Sequence, residues 1–282
     1  MMNHSRLPNP SRISLLGCPF DPVTARQARD ECIGWCLETP RRSHMVVTIN
    51  AAIITMLVRD PSLWEACNEG DLCVVDGVPV VWSSRILGTP LPERVAGIDL
   101  MAALLEEGAN KGLSAYFLGS TDAILERLLD VLRAKYPGLV VAGYRNGYFT
   151  PAEYDGVVEE IRIARPDMLF VGMPTPFKET WCFKYRDKLN IPLIMGVGGS
   201  FDVLSGVVRR APLFMQRIGM EWFWRFLMRP RVMWKRYLVT NTLYLLALGR
   251  EVIRVRILGK PPMRVRWQDE SVEIGDLPRR SS

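Results

Sequence analysis

Short apolar runs alternate along this chain with longer stretches of helical period. HMVVTIN, DLCVVDG, LSAYFLGS, LVVAGYR, DMLFVGM and IPLIMGVGG are the apolar runs. Between them, TARQARDECIGWCLE, AAIITMLVRDPSLWEACNEG, GIDLMAALLEEGANKG, TDAILERLLDVLRAKYPG, TPAEYDGVVEEIRIARP and FKETWCFKYRDKL repeat apolar positions three and four residues apart. RISLLGCPF reads as one more strand and SFDVLSGVVRR as one more helix. Strands with apolar residues at nearly every position are buried on both faces, which requires helices on both sides of a parallel sheet. The expected fold is therefore α/β and Rossmann-like, with a mostly parallel sheet between helices. Local punctuation agrees. Thr24 stands where an N-cap is needed, Pro61 interrupts one helical stretch, and Thr150-Pro151 supplies a cap followed by an N1 proline.

The pattern changes near the C-terminus. Met220 to Asn241 reads MEWFWRFLMRPRVMWKRYLVTN, with Glu221 as its one acid. Trp222, Phe226, Met233 and Tyr237 approximate one helical face, flanked by Arg225, Arg229 and Arg236. Such a face suits a helix lying in the headgroup layer of an anionic membrane. The competing reading is a core-packing or dimer helix with solvated arginines. Pro230 predicts two helices rather than one. The apolar run Tyr237 to Gly249 is too short to span a bilayer, which takes about 20 residues. The expected organisation is a disordered lead at 1–11, an α/β catalytic domain at 12–212, a helical membrane-associating appendage at 213–258 and a tail at 259–282. Cutting the chain after Ala211 is then expected to abolish vesicle binding and leave the rest folded.

Composition sharpens this. The 282 residues are 48% hydrophobic and carry a net charge of +6. Much of the excess sits in 209–236, so the patch calls for phosphate: anionic lipid, a diphosphate ligand or nucleic acid. Six cysteines with no CxxC pair, and two histidines, offer no zinc spacing and read as buried thiols. MMNHSRLPNPSR has no apolar core of a signal peptide.

Ligands of open α/β sheets sit beyond the C-terminal strand ends. The polar residues there are Thr48 and Asn50, Asp76 and Gly77, Gly119 and Ser120, Arg145 to Gly147, Gly172 and Pro174, and Gly196, Gly198, Gly199 and Asp202. Thr48 and Asn50 have a second reading as helix caps, and so has Asp99. The glycines at 196–199 stand between a strand and a helix, where backbone N–H groups can meet an anion. The sequence Gly196-x-Gly198-x-x-Phe201 lacks the third glycine of a dinucleotide fingerprint. No DxD, HExxH, GxSxG or GxxxxGK[ST] occurs. No metal and no cofactor are expected, and a phosphorylated leaving group would be met by cations or helix N-termini.

VVTIN, VVDGVPVV, RVAGIDL, YFLGS, RNGYF, VGMPTPFKE, GVGGSFDVLSG and RRAPLFMQRIGMEWFWRFLMRPRVMWKRY occur in this order. In this the chain resembles the WecG/TagA/CpsF glycosyltransferases, over about residues 12–245. The resemblance implies an inverting, metal-independent transfer from a UDP-sugar donor to a polyprenyl-diphosphate-linked sugar acceptor, in the making of cell-surface polymers or exopolysaccharide. The donor sugar would be of N-acetylmannosamine type, its uronic acid, or glucose. It implies a peripheral enzyme on the cytoplasmic face of the bacterial membrane. Asp76 falls on the family's base, Thr48 on its TxN threonine, and Gly196, Gly198, Gly199, Phe201 and Asp202 on its nucleotide loop. Asn50, Arg94, Asn146, Pro174, Lys178, Glu179, Arg217, Arg225, Arg229 and Arg231 complete the expected substrate-binding set. One motif departs: where the family has GxPKQE, this chain reads GMPTPFKE, with Lys178 in place of the glutamine. A cation there would favour an acidic sugar or the diphosphate. Two other classes compete, a Rossmann-type oxidoreductase and a non-enzymatic basic module for membranes or nucleic acid. No nucleic-acid partner is expected of the transferase, while self-association through the apolar appendage is.

Overall fold

A computed structural model of the protein describes residues 12–228 and 230–263, with the short strands Trp267–Gln268 and Ser271–Val272. The expected lead at 1–11, most of the tail, Arg229 and the side chains of Arg225, Met233, Lys235, Arg236 and Tyr237 lie outside the described residues.

The chain opens with β1 (Ile13–Leu15) and β2 (Cys18–Phe20), antiparallel to each other. The single strand expected for RISLLGCPF is thus a hairpin, because Leu16 and Gly17 both take positive φ and reverse the chain. Helix α1 (Ala25–Leu37) begins at a capping box between Thr24 and Gln27. Then come β3 (His44–Ile49), α2 (Ala51–Leu57), α3 (Pro61–Asn68), β4 (Leu72–Val75) and α4 (Val78–Leu87). Pro61 is the N1 residue of α3, capped by Asp60, so the proline starts a helix as well as ending one. Helix α5 (Gly97–Lys111), β5 (Ser114–Gly119), α6 (Asp122–Lys135), β6 (Val140–Arg145) and α7 (Tyr154–Ala164) follow. The domain continues with β7 (Met168–Gly172), α8 (Phe177–Leu189), β8 (Leu193–Gly196) and α9 (Ser200–Leu204). SFDVLSGVVRR gives only this five-residue helix; Gly206, at φ 74°, ends it.

Six strands form one parallel sheet in the order β4-β3-β8-β7-β5-β6. Its strands alternate between two apolar layers. Val47, Ile49, Leu169, Val171 and Ile194 face α2, α3, α7 and α8, while Val46, Phe117, Phe170 and Met195 face α1, α5 and α6. All six cysteines are buried and unpaired, and burial raises every one of their thiol pKa values, so they are inert packing residues.

The C-terminal part forms α10 (Leu213–Arg217), α11 (Glu221–Met228) and α12 (Pro230–Val252). The expected break at Pro230 adjoins Arg229, which lies outside the described residues. Helix α12 packs across α2 and α4. Tyr244 anchors it: the ring is buried in the core, and its hydroxyl lies 2.7 Å from Ser83 Oγ and 3.3 Å from the Pro79 carbonyl. This corrects the truncation expectation. Cutting after Ala211 removes Tyr244 together with the layer over α2 and α4, and losing a buried aromatic side chain costs about 3–5 kcal/mol. No described helix is long and apolar enough to cross a membrane.

Candidate active site

Because all six strands are parallel, their C-terminal ends share one edge, and the polar residues read from the sequence gather there. At the β4 end, Asp76 N–H donates to the Ile49 carbonyl at 2.8 Å, which ties the carboxylate-bearing residue to β3. Asn50 follows β3 and spends its side-chain oxygen on the α2 cap, accepting from Ala52 and Ile53 N–H at 3.0 and 3.2 Å. Thr48 is no cap. Its hydroxyl reaches the Gly196 carbonyl at 3.4 Å and its methyl backs onto Gly97 at the start of α5, which puts it between two elements of the site.

The segment before α5 is drawn to β4 by Val95 N–H, which donates to the Val75 carbonyl at 2.8 Å. That bond sets Arg94 opposite Asp76, with Arg94 Nη2 3.6 Å from Asp76 Oδ1. Arg94 also pairs with Glu221 of α11. Asp99 does not cap α5, whose N-cap is Ala96. It takes a bidentate pair from Arg210 instead, at 2.6 and 2.7 Å, and this pairing holds the guanidinium pKa above its ordinary value. A cleft of about 270 Å³ opens beside these groups, lined by Val78, Arg94, Ala96, Asp99, Leu213, Gln216 and Arg217.

The glycine turn lies two strands away from Asp76, on β8. Gly198 takes φ 54°, Phe201 is fully buried, and Asp202 Oδ1 accepts from Ser120 Oγ at 3.1 Å. Ser120 is itself held at φ 58° after Gly119 at φ 128°. A side chain at 119 would meet the Gly172 carbonyl oxygen at 2.5 Å. Only glycine lets β5 and β7 close up at this point, where their outgoing connections diverge to opposite sides of the sheet. Asn146, beyond β6, donates to both oxygens of Asp122 at 3.0 Å. The neighbouring Gly147 N–H bonds the Ser120 carbonyl at 3.0 Å.

Lys178 and Glu179 sit at the start of α8, beneath the glycine turn. Their side chains pair with each other, Thr175 Oγ1 donates to Glu179 Oε1 at 3.0 Å, and Pro174 accepts from Lys178 N–H at 3.1 Å. The exposures are 6% and 2%. The Lys178 stem runs under Gly196, 3.1 Å from where a Cβ would stand. The cation expected to meet an acidic sugar is therefore already neutralised by its neighbour. Glu179→Ala would strand a buried ammonium and is expected to cost about 3–5 kcal/mol in urea unfolding. The apolar pair Lys178→Met/Glu179→Leu is expected to stay within about 1–2 kcal/mol of the natural chain, since it removes both charges together.

Of the expected arginines, Arg217 is exposed on α10 in the cleft and Arg231 is exposed on α12. Arg225 and Arg229 fall outside the described side chains. The structure adds three groups that the sequence reading did not assign: Ser120, Arg210 and Glu221. Ser120 had its strand-end position as a signal. Arg210 meets Asp99 across 111 residues and Glu221 meets Arg94 across 127, and no local pattern shows either pair.

A profile described as "Glycosyl transferase WecG/TagA/CpsF family" matches residues 13–257. The chain belongs to this family. It is accordingly a glycosyltransferase, and the oxidoreductase and the non-enzymatic module are set aside. A relative from Bacillus spizizenii is 34% identical over 193 residues, 68% of this chain and 74% of its own length. Another, from Staphylococcus aureus strain MW2, is 31% identical over 228 residues, 81% of this chain and 87% of its own. Both family members are named N-acetylglucosaminyldiphosphoundecaprenol N-acetyl-beta-D-mannosaminyltransferase.

Proposed function

We propose that the protein transfers N-acetylmannosamine from a UDP donor to a polyprenyl-diphosphate-linked N-acetylglucosamine, with inversion and without a metal. The two relatives' names supply the substrates. The observation that carries the mechanism is the placement of Asp76 and the Gly196–Asp202 turn on one sheet edge, with β3 between their strands. Two strand spacings are about 10 Å, a span suited to a diphosphate and a sugar. In this reading the nucleotide lies over β8, β7 and β5, with Asp202 and Ser120 on its ribose or base. The sugar lies over Thr48 and Asn50. The acceptor hydroxyl approaches Asp76, which takes its proton as the oxygen bonds to the anomeric carbon. The bond from that carbon to the UDP oxygen breaks on the opposite face, and arginines of the appendage balance the departing charge. The neutral Lys178–Glu179 pair supports a neutral acetamido sugar over a uronic acid.

The exposed apolar side chains of the appendage support the acceptor assignment. Leu213, Phe214 and Ile218 around α10, Leu227 and Met228 on α11, and Trp234 and Leu238 on α12 are all exposed. In this reading the surface rests on the bilayer that holds the acceptor, as a peripheral enzyme. The test is UDP release across a panel of UDP-sugars, with a short polyprenyl-diphosphate N-acetylglucosamine acceptor, with and without EDTA. Turnover with UDP-N-acetylmannosamine that survives EDTA is expected. Turnover only with glucose or a uronic acid, or only with added metal, overturns the proposal.

A further inference from the structure

Three arginines stand at or beside the cleft near Asp76, and two of them are matched by protein carboxylates. Arg210 holds Asp99 in a bidentate pair, and Arg94 pairs with Glu221. Arg217 differs. Among the described residues no carboxylate pairs with it and no group accepts a hydrogen bond from it. It nevertheless lines the cleft, exposed, from α10. An unmatched guanidinium on a cavity wall suits an anion, and its planar fork fits a phosphate group.

Helix α10 carries two adjacent rows of side chains. Leu213 and Arg217, one turn apart, line the cleft. Phe214 and Ile218, the next row around, are exposed to 64% and 52% and belong to the apolar surface. Leu213, itself 69% exposed, joins the two. One helical turn is about 5.4 Å, so an apolar chain on that surface and an anion at Arg217 are close neighbours. The cleft also takes in Arg94, 3.6 Å from Asp76, and Val78, two residues after it. Its width is set by Gly219, which follows α10 at φ 73°. A Cβ there would lie 2.5 Å from Val78 Cβ, so only glycine lets the end of α10 approach the start of α4 so closely. Met215, buried on the inner side of α10, seats the helix.

We propose that this cleft is the subsite for the head of the acceptor. Arg217 binds the diphosphate of the lipid-linked sugar, the sugar lies in the cleft toward Asp76, and the lipid chain leaves over Leu213 and Phe214. Arg217 thus serves the acceptor and not the departing UDP, whose own place is the glycine turn on β8. The assignment rests on the acceptor proposed above, a sugar carried on a polyprenyl diphosphate.

The test measures UDP release by the full chain with two soluble N-acetylglucosamine acceptors. One is carried on a short polyprenyl diphosphate, the other is a plain alkyl glycoside. Soluble acceptors keep out the attraction of an exposed arginine for an anionic bilayer. Arg217→Ala is expected to raise the KM for the diphosphate acceptor by about 10–100-fold, the worth of a hydrogen bond to a charged group. Its kcat and UDP affinity are expected to stay within about twofold of the natural chain. The unfolding midpoint should not move, because Arg217 is exposed. With the alkyl glycoside, the variant and the natural chain are expected to show the same kcat/KM. Arg217→Lys, which keeps the charge without the fork, recovers part of the loss. An equal loss with both acceptors overturns the inference, since Arg217 would then read the sugar or shape the cleft. A loss of UDP affinity also overturns it and assigns the guanidinium to the donor. The two levels separate on the natural chain. If it does not use the diphosphate acceptor, the acceptor reading falls and takes the subsite with it. If it does, and Arg217→Ala uses that acceptor equally well, only the subsite falls.

Discussion

Asp76→Asn is expected to lower turnover by about 10²–10⁴-fold, the contribution of a positioned general base. Fold and UDP affinity should be retained. The side chain is nearly isosteric, and the backbone bond from Asp76 N–H to the Ile49 carbonyl is untouched. The nucleotide turn lies two strands away on β8. The loss should therefore fall on kcat, with the donor KM little changed. Single-turnover UDP release, beside calorimetric titration of UDP, makes the measurement. An Asn variant that keeps most of its turnover removes Asp76 from the reaction. A variant that loses UDP affinity in parallel makes it a binding residue.

The second large effect concerns the membrane. Trp234 and Leu238 lie one helical turn apart on α12, exposed to 55% and 61%. The Trp234→Glu/Leu238→Glu variant is expected to bind anionic vesicles about 10²-fold more weakly. Each such side chain is worth roughly 1.5–3 kcal/mol when taken out of water, and 1.4 kcal/mol is tenfold. The anchoring Tyr244 is left in place, so the unfolding midpoint should not move. UDP release from a soluble, short-chain acceptor should be kept, while activity on acceptor in vesicles falls with the binding. Vesicle sedimentation, with chain mass measured by light scattering, distinguishes the outcomes. Unchanged vesicle binding defeats the docking surface. A natural dimer that the variant converts to a monomer would show that a second copy covers this face.

Most of the scaffold was legible in the residues. Continuous apolar runs cannot face water on either side, so HMVVTIN or DMLFVGM had to become internal parallel strands, and β3 and β7 are just that. Capping chemistry at Thr24 and Asn50 is a two- to three-residue interaction and shows in sequence. The hairpin at Leu16-Gly17 was missed, because Leu16 has no preference for the positive φ it adopts. Helix α9 was drawn too long, since the apolar residues after Gly206 continue the helical period without continuing the helix.

The candidate site divides in the same way. Parallel strands deliver all their C-terminal ends to one edge, so Thr48, Asn50, Asp76 and the Gly196–Asp202 turn could be grouped once the strands were recognised. The charge on Lys178 could not be read alone. It depends on Glu179 and on burial beneath Gly196, which are products of packing.

The sequence by itself determined the sheet, its two helical layers and the edge that carries the chemistry, because each follows from periodicity or from neighbours a few residues apart. Only the tertiary structure decided which side of α12 is fastened to the core through Tyr244 and which is left apolar and exposed. It alone brought Glu221 to Arg94, since charges 127 residues apart pair only after the chain between them has folded.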